Sequence, residues 1–300
     1  MKLVRFSVNG GAPRLGILQN DRIADVQASV AASLSRRGVI RAQEIAAALV
    51  PASTRAFLEG GAAASEAVAA VREWVTVPAS TARLHAPIDD PGKFICIGLN
   101  YRDHAEETNN PIPKEPPIFG KWAPSIVGPG DPILRPRGSK QLDWEVELGV
   151  VIGRTARFVS REQALDYVWG YTIINDASAR DFQFITSQWM AGKIFETAAP
   201  VGPYIADRDE LPDPHNLELK TFVNGKQMQR GNTKTFIFDV RYLVSYLSGL
   251  MTLSPGDLIA TGTPPGVGLG MKPPVFMNPG DVCRVEITGL GSLENPVKDA

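Results

Sequence analysis

The chain has 300 residues, 44% of them hydrophobic and 21% charged, with a formal net charge of -1. That length can bury a large core as one domain, or as a main domain with a smaller companion. The balanced charge, without a basic stripe interleaved with aromatic residues, excludes a nucleic-acid footprint.

The first 80 residues differ from the rest. Short strand-like pieces, Leu3–Val8, Arg14–Leu18 and Arg22–Asp25, give way to alanine-rich stretches that favour helix at Val26–Arg36, Ala42–Ala48 and Ala62–Trp74. The opening residues alternate like a strand and do not read as a signal peptide. The segment has no histidine and no facing carboxylates, so 1–80 reads as a small α+β domain of low functional content. Turn formers from Val77 to Gly92 mark a linker, and residues 81–300 read as the main domain. There Phe94–Gly98, Trp144–Ile152, Gly170–Asn175, Leu217–Val223, Leu258–Thr261 and Val282–Ile287 are strand candidates. One helix, Asp239–Leu250, carries apolar residues at Val240, Leu243, Val244, Leu247 and Leu250. The fold class is therefore α+β, predominantly β. No stretch approaches the ~20 apolar residues of a membrane helix. Cys96 and Cys283 stand singly among apolar neighbours, as core cysteines do. A cytoplasmic protein with no membrane or nucleic-acid partner is expected.

The most informative segment is Asp143-Trp144-Glu145-Val146-Glu147-Leu148. On a strand, side chains two apart share a face, so Glu145 and Glu147 point the same way, roughly 7 Å apart. Two like charges on a buried strand repel and call for something positive. A third carboxylate, Asp176, ends the apolar run Tyr171–Ile174 where a strand meets a loop. Three oxygen ligands without cysteine or histidine suit a hard cation, Mg²⁺ or Mn²⁺.

Of three histidines, His85 in the linker and His215 in a turn read as surface loop residues. His104 follows a strand end and shares a helical face with Glu107, as a general base and its orienting carboxylate would. The proline-containing loop from Thr108 to Pro117 reads as a lid. Further on, Gln183 is a candidate oxyanion donor and Lys193 a charge partner for the substrate or the carboxylates. Thr261-Gly262-Thr263-Pro264 ends a strand in a loop suited to a carboxylate, and lacks the lysine and helix of a phosphate loop.

Taken in order, Gly98-x-Asn100-Tyr101-x-x-His104, Glu145-Val146-Glu147-Leu148, Asn175-Asp176-x-x-x-Arg180-Asp181-x-Gln183, Gly192-Lys193 and Thr261-Gly262-Thr263-Pro264 resemble the fumarylacetoacetate hydrolase family over residues 92–290. The pattern of Asp103, His104 and Glu107 is similar to its acylpyruvase-like branch, so Asp103 is left out of the metal set. The resemblance implies a mixed β-roll behind a small N-terminal domain, and a homodimer. It implies Mg²⁺ or Mn²⁺ held by Glu145, Glu147 and Asp176, and a His104–Glu107 dyad that activates water. Lys193 would stabilise charge near the metal, Gln183 would help form the oxyanion hole, and Thr263 would contact a substrate carboxylate. The expected reaction is hydrolytic C–C cleavage of a 2,4-diketo-acid, of acylpyruvate or fumarylpyruvate type, to pyruvate and a carboxylic acid. Decarboxylation of oxaloacetate-like acids and isomerisation of 2-hydroxy-dienoates from aromatic breakdown are the alternatives; a non-catalytic metal-dependent binding protein is a distant third.

Overall fold

A computed structural model describes residues 1–107 and 110–300. Thr108 and Asn109, at the start of the loop read as a lid, lie outside the described residues. The main sheet has twelve strands. From one edge its order is Thr76–Pro78, Arg22–Asp25, Arg14–Gln19, Lys2–Val8, Ala199–Asp207, Val168–Asn175, Val146–Ile152, Leu258–Ala260, Phe94–Ile97 and Ile118–Lys121. Ala82–His85 pairs with Lys2–Val8, and Ile126–Val127 with Ala199–Asp207. A second sheet runs Lys226–Asn232, Glu218–Val223, Val282–Ile287, Gly291–Asp299 and Ile133–Arg135. Leu142–Asp143 and Ser178–Ala179 form a two-stranded ladder. Strand outweighs helix, and the sheets are mixed: Leu258–Ala260 runs parallel to Phe94–Ile97, while its pairing with Val146–Ile152 is antiparallel.

Each face of the main sheet has its own core. Val146, Leu148, Val150 and Ile152 enter a cluster shared with the second sheet and with the helix Val240–Leu250. Val151 and Ile174 enter the other, shared with Val30, Ala46, Phe57 and Val68 of the N-terminal helices. The period-2 alternation of a strand thus feeds two apolar layers, which is why Val146–Ile152 is buried along its whole length. The strands of residues 2–78 continue the same sheet through the Lys2–Val8 pairing to Ala199–Asp207.

The helix Val26–Arg36 has the predicted bounds and is capped by the Asp25 carboxylate on the Ala28 N–H. Val240–Leu250 is capped in the same way by Asp239 on the Tyr242 N–H. The helix predicted over Ala62–Trp74 spans Gly61–Ala69. His85 lies on the strand Ala82–His85, not in a loop, with its Nε2 2.8 Å from Ser7 Oγ. Cys96 and Cys283 are both buried and free. No helix among the described residues is long and apolar enough to cross a membrane.

Candidate active site

The site gathers where several central strands end. Glu145 immediately precedes the strand Val146–Ile152. It is tied to the neighbouring strand through its N–H, which donates to Asn175 Oδ1 at 3.0 Å, and its carbonyl, which accepts from the Asp176 N–H at 2.9 Å. Asp176 follows the last residue of Val168–Asn175. Glu145, Glu147 and Asp176 are all buried, and each offers a carboxylate oxygen within 4.8 Å of the other two. Asp103 is exposed and outside this group, its Oδ1 accepting the His104 N–H at 3.2 Å.

Such a cluster holds together only with positive charge inside it. Lys193 Nζ donates to Glu145 Oε2 at 2.6 Å and to Asp176 Oδ2 at 2.9 Å. Arg180 Nη2 lies 2.6 Å from Glu145 Oε1, while its Nε donates to Asp143 Oδ2 at 2.8 Å. Lys121 Nζ lies 2.7 Å from Asp176 Oδ1 and donates to the carbonyl oxygens of Ala177, Lys193 and Ala198. Four buried carboxylates (Asp143, Glu145, Glu147, Asp176) therefore face three buried cations (Lys121, Arg180, Lys193). Burial alone would raise the Glu145 carboxyl, but Lys193 and Arg180 hold it well below its ordinary range. Burial alone would lower the Lys193 ammonium; Asp176 and Glu145 instead push it up.

Glu147 is the least compensated member. Its Oε2 accepts the Gly262 N–H at 2.7 Å, but the ion pairs of the cluster go to Glu145 and Asp176. Burial, then the charges of Asp176 and Glu145, push its carboxyl well above the ordinary 4.5. Asp176 Oδ1 is buried with the Lys121 ammonium 2.7 Å away as its charge partner. Four carboxylates against three cations, and an all-oxygen donor set, fit a hard divalent cation.

This imbalance has a pH consequence in chelator-treated protein. Glu147 keeps its proton in the fold to a higher pH than in the unfolded chain. Between 4.5 and its raised folded value the unfolded state therefore binds fewer protons, and this group's contribution to stability falls as pH rises. Glu147→Gln, neutral at every pH, removes that slope. Its melting temperature is expected to exceed the wild type's by more at pH 8 than at pH 5, and Mn²⁺ is expected to raise the wild-type value more than the variant's. An equal difference at both pH values rules out Glu147 as the uncompensated group.

His104 and Glu107 stand on the short helix Arg102–Glu107, with His104 Nδ1 3.3 Å from Glu107 Oε2. Both Glu107 oxygens accept the Gly266 N–H, at 2.9 and 3.1 Å. Gly266 has φ +99°, and a Cβ there would stand 2.2 Å from the Met228 carbonyl oxygen, so only glycine presents that N–H to Glu107. His104, Glu145, Glu147, Gln183, Lys193 and Thr263 all line one cavity of about 310 Å³. Arg180 Nη1 donates to Gln183 Oε1 at 2.9 Å, which turns the amide nitrogen the other way. The Thr263 hydroxyl donates to the Val146 carbonyl at 2.9 Å and accepts from Gln229 Nε2 at 2.8 Å. To reach a substrate carboxylate it has to release Val146.

Four further residues belong to this arrangement. Lys121 and Arg180 supply two of its three buried cations. Asp143 accepts the N–H groups of Gly268 and Leu269 at 2.7 and 3.0 Å, fixing the loop that also holds Glu107. Gln229 accepts the Val146 N–H at 3.0 Å and donates to Thr263 Oγ1 and the Pro264 carbonyl. Arg180 had a signal in its spacing from Asp176. Gln229 had none, because its contacts come from chain segments far away in sequence.

Residues 93–298 match the profile of the fumarylacetoacetate (FAA) hydrolase C-terminal family. A mitochondrial oxaloacetate tautomerase of Xenopus laevis is 42% identical over 304 residues, covering 99% of this chain and 90% of that protein. The solved fumarylacetoacetate hydrolase of Exiguobacterium antarcticum is 37% identical with a TM-score of 0.80, the match covering 100% of both chains. A maleylpyruvate hydrolase of Sphingobium sp. SYK-6, solved with manganese(II) and pyruvate, is 32% identical with a TM-score of 0.75, again over 100% of both chains. With the profile spanning more than half its length and full-length relatives above 30% identity, the chain belongs to the fumarylacetoacetate hydrolase family.

Proposed function

We propose that the protein is a divalent-cation-dependent hydrolase that cleaves a C–C bond in a 2,4-dioxo acid, releasing pyruvate and a carboxylic acid. The observation that carries this reading is one cavity lined by Glu145 and Glu147, which form a buried carboxylate cluster with Asp176, and by His104, which is paired with Glu107. Glu145, Glu147 and Asp176 would hold a hard divalent cation, Mg²⁺ or Mn²⁺; the manganese in the similar Sphingobium hydrolase supports a divalent ion here. When bound, such an ion supplies Lewis acidity and a template for the 2-oxo-acid end of the substrate.

The chain's own groups do the rest. Glu107, itself fixed by the Gly266 N–H, orients the His104 ring through Nδ1 and stabilises the imidazolium formed when His104 takes a proton from water. The hydroxide attacks the C4 carbonyl. The Gln183 amide nitrogen, turned away from Arg180, donates to the developing oxyanion. Lys193 supplies positive charge beside it. The C3–C4 bond then breaks, its electron pair passing to the pyruvoyl fragment, which is protonated at C3.

A second reading is tautomerisation of an oxaloacetate-like acid, favoured by the full-length similarity to the Xenopus enzyme. It needs the same His104 to move a proton between C3 and the 2-oxo oxygen, without water attack. The deciding assay takes chelator-treated protein, restores Mg²⁺ or Mn²⁺, and offers acetylpyruvate and oxaloacetate. Pyruvate release and enol–keto interconversion are both followed. Metal-restored release of pyruvate and acetate from acetylpyruvate is the expected result. Enol–keto interconversion of oxaloacetate without cleavage of acetylpyruvate replaces the hydrolase with the tautomerase, and inactivity on both substrates defeats both readings.

A further inference from the structure

The cavity that holds the carboxylates changes character away from them. Phe119 and Trp189 meet edge to face, ring centroids 5.9 Å apart at 74°. Trp189 rests against Gly98, where a Cβ would stand only 2.3 Å from its Cζ3, so the aromatic wall stands where it does because residue 98 has no side chain. Phe184 and Leu269 continue the apolar lining, Phe184 at the mouth with 56% of its surface exposed. The two lysine or arginine side chains that line the cavity, Arg180 and Lys193, both close on the carboxylate cluster. Among the described residues, the lining holds no further lysine or arginine to pair with a second anionic group.

We propose that this outer part takes an uncharged, apolar or aromatic acyl substituent, so that the substrate carries one carboxylate, at its pyruvoyl end. The inference rests on the 2-oxo-acid reading above and names the substrate class within it. A second carboxylate placed here would lose water against ring faces that themselves carry partial negative charge; the one ammonium near the wall, Lys193 at 5.3 Å from the Phe119 centroid, is already paired with Glu145 and Asp176. An alkyl chain or ring in the same space removes apolar surface from water and gains aromatic contacts.

The test measures binding separately from turnover. The Mg²⁺-loaded wild-type protein is titrated calorimetrically with two acids that have no C4 carbonyl to cleave, 2-oxo-4-phenylbutanoate and 2-oxoadipate, and with pyruvate as the common fragment. The phenyl acid is expected to bind about tenfold or more tightly than the dicarboxylate, the scale by which a filled apolar pocket discriminates. Gly98→Ala, which forces Trp189 to move, is expected to bring the two acids within about threefold of each other while pyruvate changes by less than about twofold. Leu269→Lys, at a half-buried position in the 3-10 turn Gly268–Gly270 where a lysine stem can lie along apolar surface, is expected to reverse the preference, and it keeps the proposal testable should Gly98→Ala misfold.

Equal or tighter binding of 2-oxoadipate by the wild type overturns the proposal, as does an unchanged preference in Leu269→Lys. Binding of none of the three acids overturns it too. The phenyl preference without cleavage of any 2,4-dioxo acid supports this inference and defeats the hydrolase reading alone. Cleavage with a dicarboxylate preference does the reverse.

Discussion

His104→Ala is expected to lower kcat on a 2,4-dioxo acid by roughly 10²–10⁴-fold, the usual contribution of a positioned general base. Divalent-cation affinity is expected to change little, because the three carboxylates stand on other segments of the chain. His104 is buried and its Nδ1 is bound to Glu107, so the imidazole is held in one orientation toward the cavity it lines. Glu107 has two tasks: it orients the ring and anchors Gly266. Glu107→Gln keeps one oxygen for the Gly266 N–H but stabilises an imidazolium less, so a smaller loss is expected. If the pair acts as a unit, the double variant falls no further than His104→Ala alone. Single-turnover kinetics with calorimetric Mn²⁺ titration in parallel check all three variants. Turnover by His104→Ala within a few-fold of the wild type would falsify the base assignment, and parallel loss of Mn²⁺ affinity would mean the substitution disturbs the carboxylate cluster instead.

The parts of the site legible in the sequence were those generated by short-range periodicity. Glu145 and Glu147 are two apart at a strand, His104 and Glu107 three apart on a helix, and Asp176 ends an apolar run. Each placement follows from the local repeat of the backbone. The helices Val26–Arg36 and Val240–Leu250 were legible for the same reason, and their caps, Asp25 and Asp239, are the residue immediately before each.

What escaped depends on which distant segment lies opposite. The strand Ala199–Asp207 contains Pro200, Gly202 and Pro203, a composition that argues against a strand, yet it sits between Lys2–Val8 and Val168–Asn175 near the middle of the sheet. The sheet tolerates Pro203 because the ladder to Val168–Asn175 slips register there, between the pairs Ile173–Gly202 and Tyr171–Ala206. Lys121 closes the short run Ile118-Phe119-Gly120-Lys121, and nothing local says that its ammonium points inward. Its partners are Asp176 and three carbonyl groups lying 56 to 77 residues away.

That placement makes Lys121 the source of the second large effect. Lys121→Met, similar in length but uncharged, is expected to destabilise metal-free protein by about 3–5 kcal/mol, the usual result of removing one partner from a buried ion pair. The Lys121 side chain and the Asp176 side chain are both fully buried, so solvent cannot screen what is left. Asp176 would face Glu145 and Glu147 with Lys193 as its one close cation, and the carbonyls of Ala177, Lys193 and Ala198 would lose a donor. For a chain of 300 residues that corresponds to a fall in melting temperature of roughly 5–8 °C. In denaturant the midpoint should drop with the slope unchanged, since the surface exposed on unfolding is the same. Saturating Mn²⁺ should return more stability to the variant than to the wild type, because a cation entering the cluster relieves a larger excess of negative charge. A metal-free variant as stable as the wild type would mean that neither the Asp176 ion pair nor the three carbonyl contacts of Lys121 contribute net stability.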